Sequence, residues 1–524
     1  MPGELPPTYE ELAALVVEQA RMIDQLRGQL TEMEGLRARV AEFERQLGQN
    51  SGNSGKPPSR DSTAERQRQA AERKAKAEAA GGAKRRRGKQ RGAKGKTLEM
   101  SEVPDEIVDH RPQACSGCGS ALEESAEHGY KRRQVVEVPP VKPVIVEHRA
   151  HSYICGCGAV TTAEFPDQAR APVSYGPRAR SIIAYLLGRQ HIPNRRVVEA
   201  MRDLFGLDIS IGAVDSIYAE AGRRLGGFIV ALVALLRTLP VLHVDETSDR
   251  LNTKNCWMHV VSASLYTFIH ASETRGEEAI DHMGVLRGYR GVLVHDRLAM
   301  YWKLKRAKHA ICGAHLLRDL ADVAVVATQT AWAAGLAALL VEINDACHAA
   351  RDRGDTKLAP QLRRRFSARY DQLVQAGLAA NPEPSHRKRD VVERRSFNLV
   401  TAFATHKTPI LRFMNDLTTP MTNNAAERAL RPSKLHRKVS GCFRSIAGAE
   451  RSAHLRSYLD TTHKNDITAM DALTRLFAGD PWMPPLPHRR TVTRDCIRLL
   501  LRIESPSRYY SGSTGARAPK GGIP

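Results

Sequence analysis

The sequence predicts a multidomain protein whose largest part is a mixed α/β domain interrupted by an all-α insertion. Three observations predict this. Apolar residues recur at alternating steps of three and four through roughly the first fifty positions, the pattern of a coiled-coil seam. Two close cysteine pairs bracket β-rich sequence between 115 and 157. From about residue 238 three strand-like runs follow one another and then alternate with helical patterns, the order that builds a mixed sheet.

The chain has 524 residues, room for several domains of roughly 100–200 residues each. Its formal charge of +22 points to a polyanionic partner. No apolar window is long enough for a membrane-spanning helix, and the acidic opening MPGELPPTYEELAAL does not read as a secretion signal. Of nine cysteines, four cluster and five are scattered, which suits a metal site in a reducing, cytoplasmic setting rather than a disulfide framework.

In residues 1–49, Leu12, Val16, Ile23, Leu26, Leu30, Met33, Val40 and Leu47 form one stripe, with Gln19, Arg37 and Glu44 filling the remaining seam positions. A lone amphipathic helix has nothing to bury such a stripe against, so pairing into a homo-oligomer is expected, with packing onto the protein's own body as the alternative. A Gly/Asn/Ser/Pro cluster ends the helix. Residues 50–104 then read as a disordered basic linker. Between 61 and 100 there are thirteen basic residues against five acidic ones and almost no large apolar side chain to offset the entropy of ordering. Such a segment supplies sequence-independent phosphate contacts.

Residues 105–170 read as a zinc-ribbon-like β domain. Cys115 and Cys118 have knuckle spacing, whereas Cys155 and Cys157 are one residue closer, and His151 or His128 is an alternative ligand for one of them. Four ligands leave no open position, so the role of Zn²⁺ there is structural. Residues 171–235 carry three short helices with a turn at Leu207–Ile209 and Ser210 as N-cap, the outline of a helix-turn-helix that a small helical bundle would also match.

In the α/β domain, 236–480, LPVLHVDET, NCWMHVVSASLYTFIHAS, GVLVHD and KHAICGAH read as strands, the last leading into a helix. Asp245 and Asp296 are expected at or near strand ends, where α/β sheets present ligands. Glu246 and Asp249 are rival acids that strand alternation alone does not exclude. Helical sequence from about 320 to 420 reads as the insertion, and its Arg363, Arg364 and Arg365 as either a DNA clamp or a solvated face. Beyond it, MTNNAAERALRP places the single acid Glu427 among Arg428, Arg431 and Lys434, which by itself also fits a salt-bridged surface glutamate. Residues 481–524 read as a loose tail.

Taken together, Asp245-Glu246-Thr247, Val294-His295-Asp296 with Tyr301 beyond it, Cys312-x-x-His315-x-x-Arg318 and Asn423-Asn424-x-x-Glu427-Arg428-x-x-Arg431-Pro432 resemble the insertion sequence 66-type transposases, of the Asp-Asp-Glu group. The coiled coil, the NSGKPPS turn and the paired cysteines recur in the same order, so the resemblance covers nearly the whole chain. It implies a ribonuclease-H-like catalytic domain with Asp245, Asp296 and Glu427 as catalytic acids. These would hold two Mg²⁺ (or Mn²⁺) ions, while Asn423 and Asn424 cap the helix and orient its carboxylate. His315, Arg318, Arg428 and Arg431 would contact phosphate. The implied reaction is cleavage of a DNA strand at the element's end and attack of the freed 3′-hydroxyl on target DNA, in the nucleoid, with element-encoded accessory proteins as further expected partners. A non-catalytic DNA-binding regulator, or a nuclease of the same fold that never joins strands, are the alternatives.

Overall fold

A computed structural model of the chain describes residues 98–122, 127–166, 171–324, 329–383 and 391–485, with five single positions elsewhere. The coiled-coil stripe, most of the basic linker and most of the C-terminal tail lie outside the described residues. The chain divides into two compact units, Met1–Pro143 and Val144–Pro524.

In the first unit Cys115 opens a tight turn. Its N–H donates to the Ser120 carbonyl (2.8 Å), and Gly119 donates back to the Cys115 carbonyl (2.9 Å). Gly119 holds a φ of +77°, which a side chain would disfavour. The second unit begins with the same device made one residue shorter. Strands β1 (Ser152–Ile154) and β2 (Val160–Thr162) pair antiparallel around it. Cys155 N–H donates to the Ala159 carbonyl (2.9 Å) and Gly158, at φ +85°, donates to the Cys155 carbonyl (2.8 Å). The β-rich reading of the sequence between the turns is not realised: from Val135 to Val146 no strand forms. Pro139, Pro140 and Pro143 remove three N–H donors from that stretch, and its valines stay exposed.

Four helices follow: α1 (Pro177–Gly188), α2 (Asn194–Phe205), α3 (Ile211–Arg224) and α4 (Gly226–Leu236). Ser210 caps α3, its hydroxyl accepting from the Ala213 N–H. Helix α4, GGFIVALVALL, is apolar on every side and correspondingly buried. Among the described residues no helix is long and apolar enough to cross a membrane.

Strands β3 (Val241–Leu251), β4 (Lys254–Ser262), β5 (Thr267–Ser272), β6 (Val292–His295) and β7 (Lys308–Ile311) form one sheet in the order β5-β4-β3-β6-β7. The first three are antiparallel; β6 and β7 run parallel to β3. The short helix α5 (Glu277–Met283) lies between β5 and β6 in the chain, and α6 (Gly313–Ala324) follows β7. Then come α7 (Thr330–Asp352), α8 (Pro360–Ala380), α9 (Val391–Thr405), α10 (Lys407–Ile410) and α11 (Arg412–Asn415). They bury a core of their own with α6, including Leu336, Leu340, Phe366, Tyr370 and Phe403. The chain returns to the sheet as α12 (Asn424–Val439), α13 (Ile446–Lys464) and α14 (Ala469–Ala478).

Strand alternation divides the sheet into two faces. On one, Leu242, Val244, Val261 and Phe268 join α1–α4, α13 and α14 in a continuous core. On the other, Cys256, Met258, Val260, Ile269 and Ala271 pack against Ala426, Ala429 and Leu430 of α12 and Ala449 and Ala453 of α13. Strand β5 is an edge, and α13 covers it with hydroxyls. Thr461 Oγ1 accepts from the Thr267 N–H (3.0 Å) and Ser457 Oγ from the Ile269 N–H (2.8 Å), so a row of otherwise orphaned donors is satisfied inside the core. Thr461→Val keeps the side-chain shape but leaves the buried Thr267 N–H unpaired. Its expected cost is about 1–3 kcal/mol, seen as a lower denaturant midpoint for the loss of tertiary signal.

Candidate active site

The site forms where β3 outruns its parallel partner. Asp245 was expected at a strand end, but β3 continues through it to Leu251 because β4 pairs with it along that whole length. Only the parallel partner stops. β6 pairs with β3 at Val241, Leu242 and His243 and ends at His295, and extending that register sets Asp296 beside Asp245. Adjacent strands lie about 4.8 Å apart, so the backbone brings the two residues close, and Asp296 is among the charges that raise the Asp245 carboxyl. Asp296 is held by a local turn, its Oδ1 accepting from the Leu298 N–H (2.9 Å).

Glu427 comes to the same place on the first turn of α12, and the way α12 is moored explains how. Asn423 is fully buried. Its Nδ2 donates to the Val244 carbonyl (2.8 Å), its Oδ1 is 3.0 Å from His243 Nδ1, and its N–H donates to Cys312 Sγ (3.1 Å). Since Oδ1 only accepts, the His243 ring carries its proton on Nδ1. Burial pushes that imidazole down to about 4, so it is neutral in this bond. Asn423 therefore does not cap the helix with its side chain, as the sequence suggested. It sits at the N-cap position but spends its carboxamide on the strand that carries Asp245. The preceding loop is pinned too: Gly313 N–H donates to the Met421 carbonyl (2.8 Å), at an approach where a Cβ would meet Met421 Cε at 2.6 Å. Just past the far end of α12, the Phe443 N–H donates to the Arg250 carbonyl (2.9 Å) and the Asn252 N–H donates to the Phe443 carbonyl (2.9 Å). The helix is fastened to β3 at both ends.

The Asp245 carboxyl feels the other acids. Burial, then Glu246, Asp296 and Glu427, push the Asp245 carboxyl up to about 7, against a bond from the Glu246 N–H (2.9 Å) that favours the anion. A cation would relieve this repulsion, so the residues fit divalent-metal binding through oxygen ligands. The rival acids separate by geometry. Glu246 points to the opposite face, its side chain buried between Arg275 (2.6 Å) and the Tyr301 hydroxyl (2.7 Å). Asp249 shares the Asp245 face but lies four residues, about 13 Å, further along β3. It is buried opposite Cys256, and burial pushes it up to about 6.

His315, in the first turn of α6, reaches the cluster, with Nδ1 3.7 Å from Glu427 Oε1. Arg318, Arg428 and Arg431 are exposed. On α8, Arg365 pairs with Glu342 (3.5 Å), which speaks for a solvated charged face in that run. Reading the sequence missed the mooring residues His243 and Gly313, and it missed Tyr301 and Arg275 as partners of Glu246. A histidine two residues before Asp245, on the same strand face, was the one available signal.

Comparison with known proteins matches residues 172–451 to the transposase IS66 family, just over half the chain. The chain belongs to the IS66 transposase family. Residues 112–158 match the zinc-finger binding domain of transposase IS66, and residues 4–99 match a family of unknown function. The chain is also similar to the uncharacterized protein y4hP of Sinorhizobium fredii (strain NBRC 101917 / NGR234), 23% identical over 447 residues that cover 72% of this chain and 76% of that protein. Membership in this transposase family supports the earlier reading of a multidomain chain with a zinc finger, a mixed α/β region and a helical region.

Asp245 has a folded pKa raised above its ordinary value of 3.8. Such a group favours the folded state at low pH, and the benefit fades as pH climbs from about 4 through about 7. Without divalent ions, Asp245→Asn is therefore expected to melt above the parent by a margin that widens across that window. Added Mg²⁺ should raise the parent's melting temperature and leave the variant's unmoved; calorimetry with chelator and with Mg²⁺ reads both.

Proposed function

We propose that this IS66-family protein is a divalent-metal-dependent DNA transposase that binds the ends of its own element, cleaves a strand there and joins the freed 3′-hydroxyl to target DNA. The observation that carries this is that Asp296, just past β6, and Glu427, at the head of the distant α12, add to burial and Glu246 in pushing up the Asp245 carboxyl on β3. A mixed five-stranded sheet with Asp245 on its central strand supports a ribonuclease-H-like catalytic domain. Asp245, Asp296 and Glu427 would hold Mg²⁺ or Mn²⁺. A pair of such ions, when bound, stabilises both the attacking and the leaving oxygen of an in-line displacement.

The chain's own groups supply the rest. Arg428, Arg431 and Lys434 line the exposed face of α12, where they suit a phosphate backbone beside Glu427. Helices α2 and α3 with their Gly206–Ser210 turn are the proposed end-reading element, as part of a helix-turn-helix spanning 171–235 within the boundaries set out from the sequence. Structural zinc is supported by the zinc-finger match, with Cys115, Cys118, Cys155 and Cys157 as the proposed ligands. In the first turn, hydrogen bonds from Ser120 pull the Cys118 thiol down to about 7, which favours the thiolate a metal needs. Pairing of protomers through residues 1–49, accessory proteins and a place at the nucleoid complete the proposal.

Asp296→Asn is expected to bind end-bearing DNA as tightly as the parent while cleaving it at least about a hundredfold more slowly, the order lost when one charge-stabilising group leaves an active site. Mobility-shift and nicking assays on the same DNA check this; equal loss of both activities would make Asp296 structural. Joined products in Mg²⁺ distinguish a transposase from a nuclease, which would release nicked DNA alone.

A further inference from the structure

We propose that Cys312, His315 and Glu427 form a second cation site, selective for a borderline-soft metal such as zinc, which shares Glu427 with the catalytic acids and withdraws it from them when loaded. The consequence for catalysis rests on the function proposed above; the binding site does not.

One ligand atom from each residue lies within 4.8 Å of the other two. His315 Nδ1 and Glu427 Oε1 face each other at 3.7 Å, both are buried, and neither has a hydrogen-bond partner. Two buried polar atoms left facing each other without a bond are costly unless something sits between them. Ligands about 2.0–2.2 Å from a shared zinc at the tetrahedral angle lie about 3.3–3.6 Å apart, close to the gap observed. The local fold supplies the third ligand. The Cys312 carbonyl accepts from the N–H groups of His315 (3.2 Å) and Leu316 (3.3 Å), so Cys312 heads α6 and its side chain shares a side of that turn with His315. Its sulfur already accepts the Asn423 N–H, a bond that steadies a thiolate. On loading, the thiol proton passes to solvent and the sulfur binds the metal.

A thiolate and an imidazole select zinc-like ions, whereas magnesium wants an all-oxygen shell. Glu427 belongs to both sets and cannot serve both fully. Low zinc would then restrain a magnesium-dependent reaction through Cys312 and His315, two ligands that magnesium itself does not use.

The full-length protein, retaining its resident zinc, is titrated with Co²⁺ and followed by thiolate-to-cobalt charge-transfer absorption. The parent is expected to take up one equivalent beyond the resident metal. Cys312→Ser and His315→Gln should each lose it, and Asp245→Asn should keep it. In parallel, micromolar Zn²⁺ added to nicking reactions in Mg²⁺ should slow the parent at least tenfold and Cys312→Ser less than twofold, each relative to its own rate without zinc. Cobalt uptake that is absent from the parent, or unchanged in both Cys312→Ser and His315→Gln, overturns the site whatever the nicking rates show. Cobalt uptake that depends on Cys312, in a protein that never nicks DNA, upholds the site and overturns the catalytic reading.

Discussion

A buried carboxamide sets the geometry on which everything else depends. Asn423, lacking any contact with water, has to satisfy its donors and acceptor internally. It does so on two consecutive residues of β3 and on the Cys312 sulfur just past β7. Those bonds fix the phase of α12 as well as its position. A helix turns about 100° per residue, so a slip of one position would swing Glu427 away from Asp245. The backbone bonds at Phe443 keep the other end of the helix from pivoting.

The rest of the fold packs on both faces of the sheet and along its β5 edge. The all-apolar α4 and its neighbours occupy one face, α12 and α13 the other, and hydroxyls of α13 close the β5 edge. Asp245 and Asp296 lie at the step where β6 ends and β3 continues. The acids there repel, and among the described residues no cation pairs with Asp245 or Asp296. Glu246, one residue away, is treated differently: Arg275 and Tyr301 satisfy it on the opposite face. Adjacent carboxylates on one strand thus differ in role because the pleat sends them to different faces. The first is left needing a cation, while the second already has one.

The cysteine turns repeat this economy on a small scale. Each cysteine turn closes on its own backbone bonds and a positive-φ glycine, so it keeps its shape without a large core. The exposed valines between Val135 and Val146 add no ladder to that framework, since prolines interrupt it.

Sequence alone determined whatever is written in local chemistry. Ser210 reads as a cap and becomes one, alternation locates the strands, and the charge and the paired cysteines announce a polyanion partner and a metal. The family resemblance of its motifs, rather than local pattern, named Asp245, Asp296 and Glu427 as candidates, with about 130 residues between the second and the third. Local pattern could not choose between Asp245, Glu246 and Asp249, because a strand's alternation says that faces differ without saying which face the distant helix covers. Nor could it reveal that Asn423 abandons its cap for β3, or that Cys312 and His315 meet Glu427. These depend on contacts between residues more than a hundred positions apart, which only packing of the helical region and the return of α12 to the sheet bring into reach.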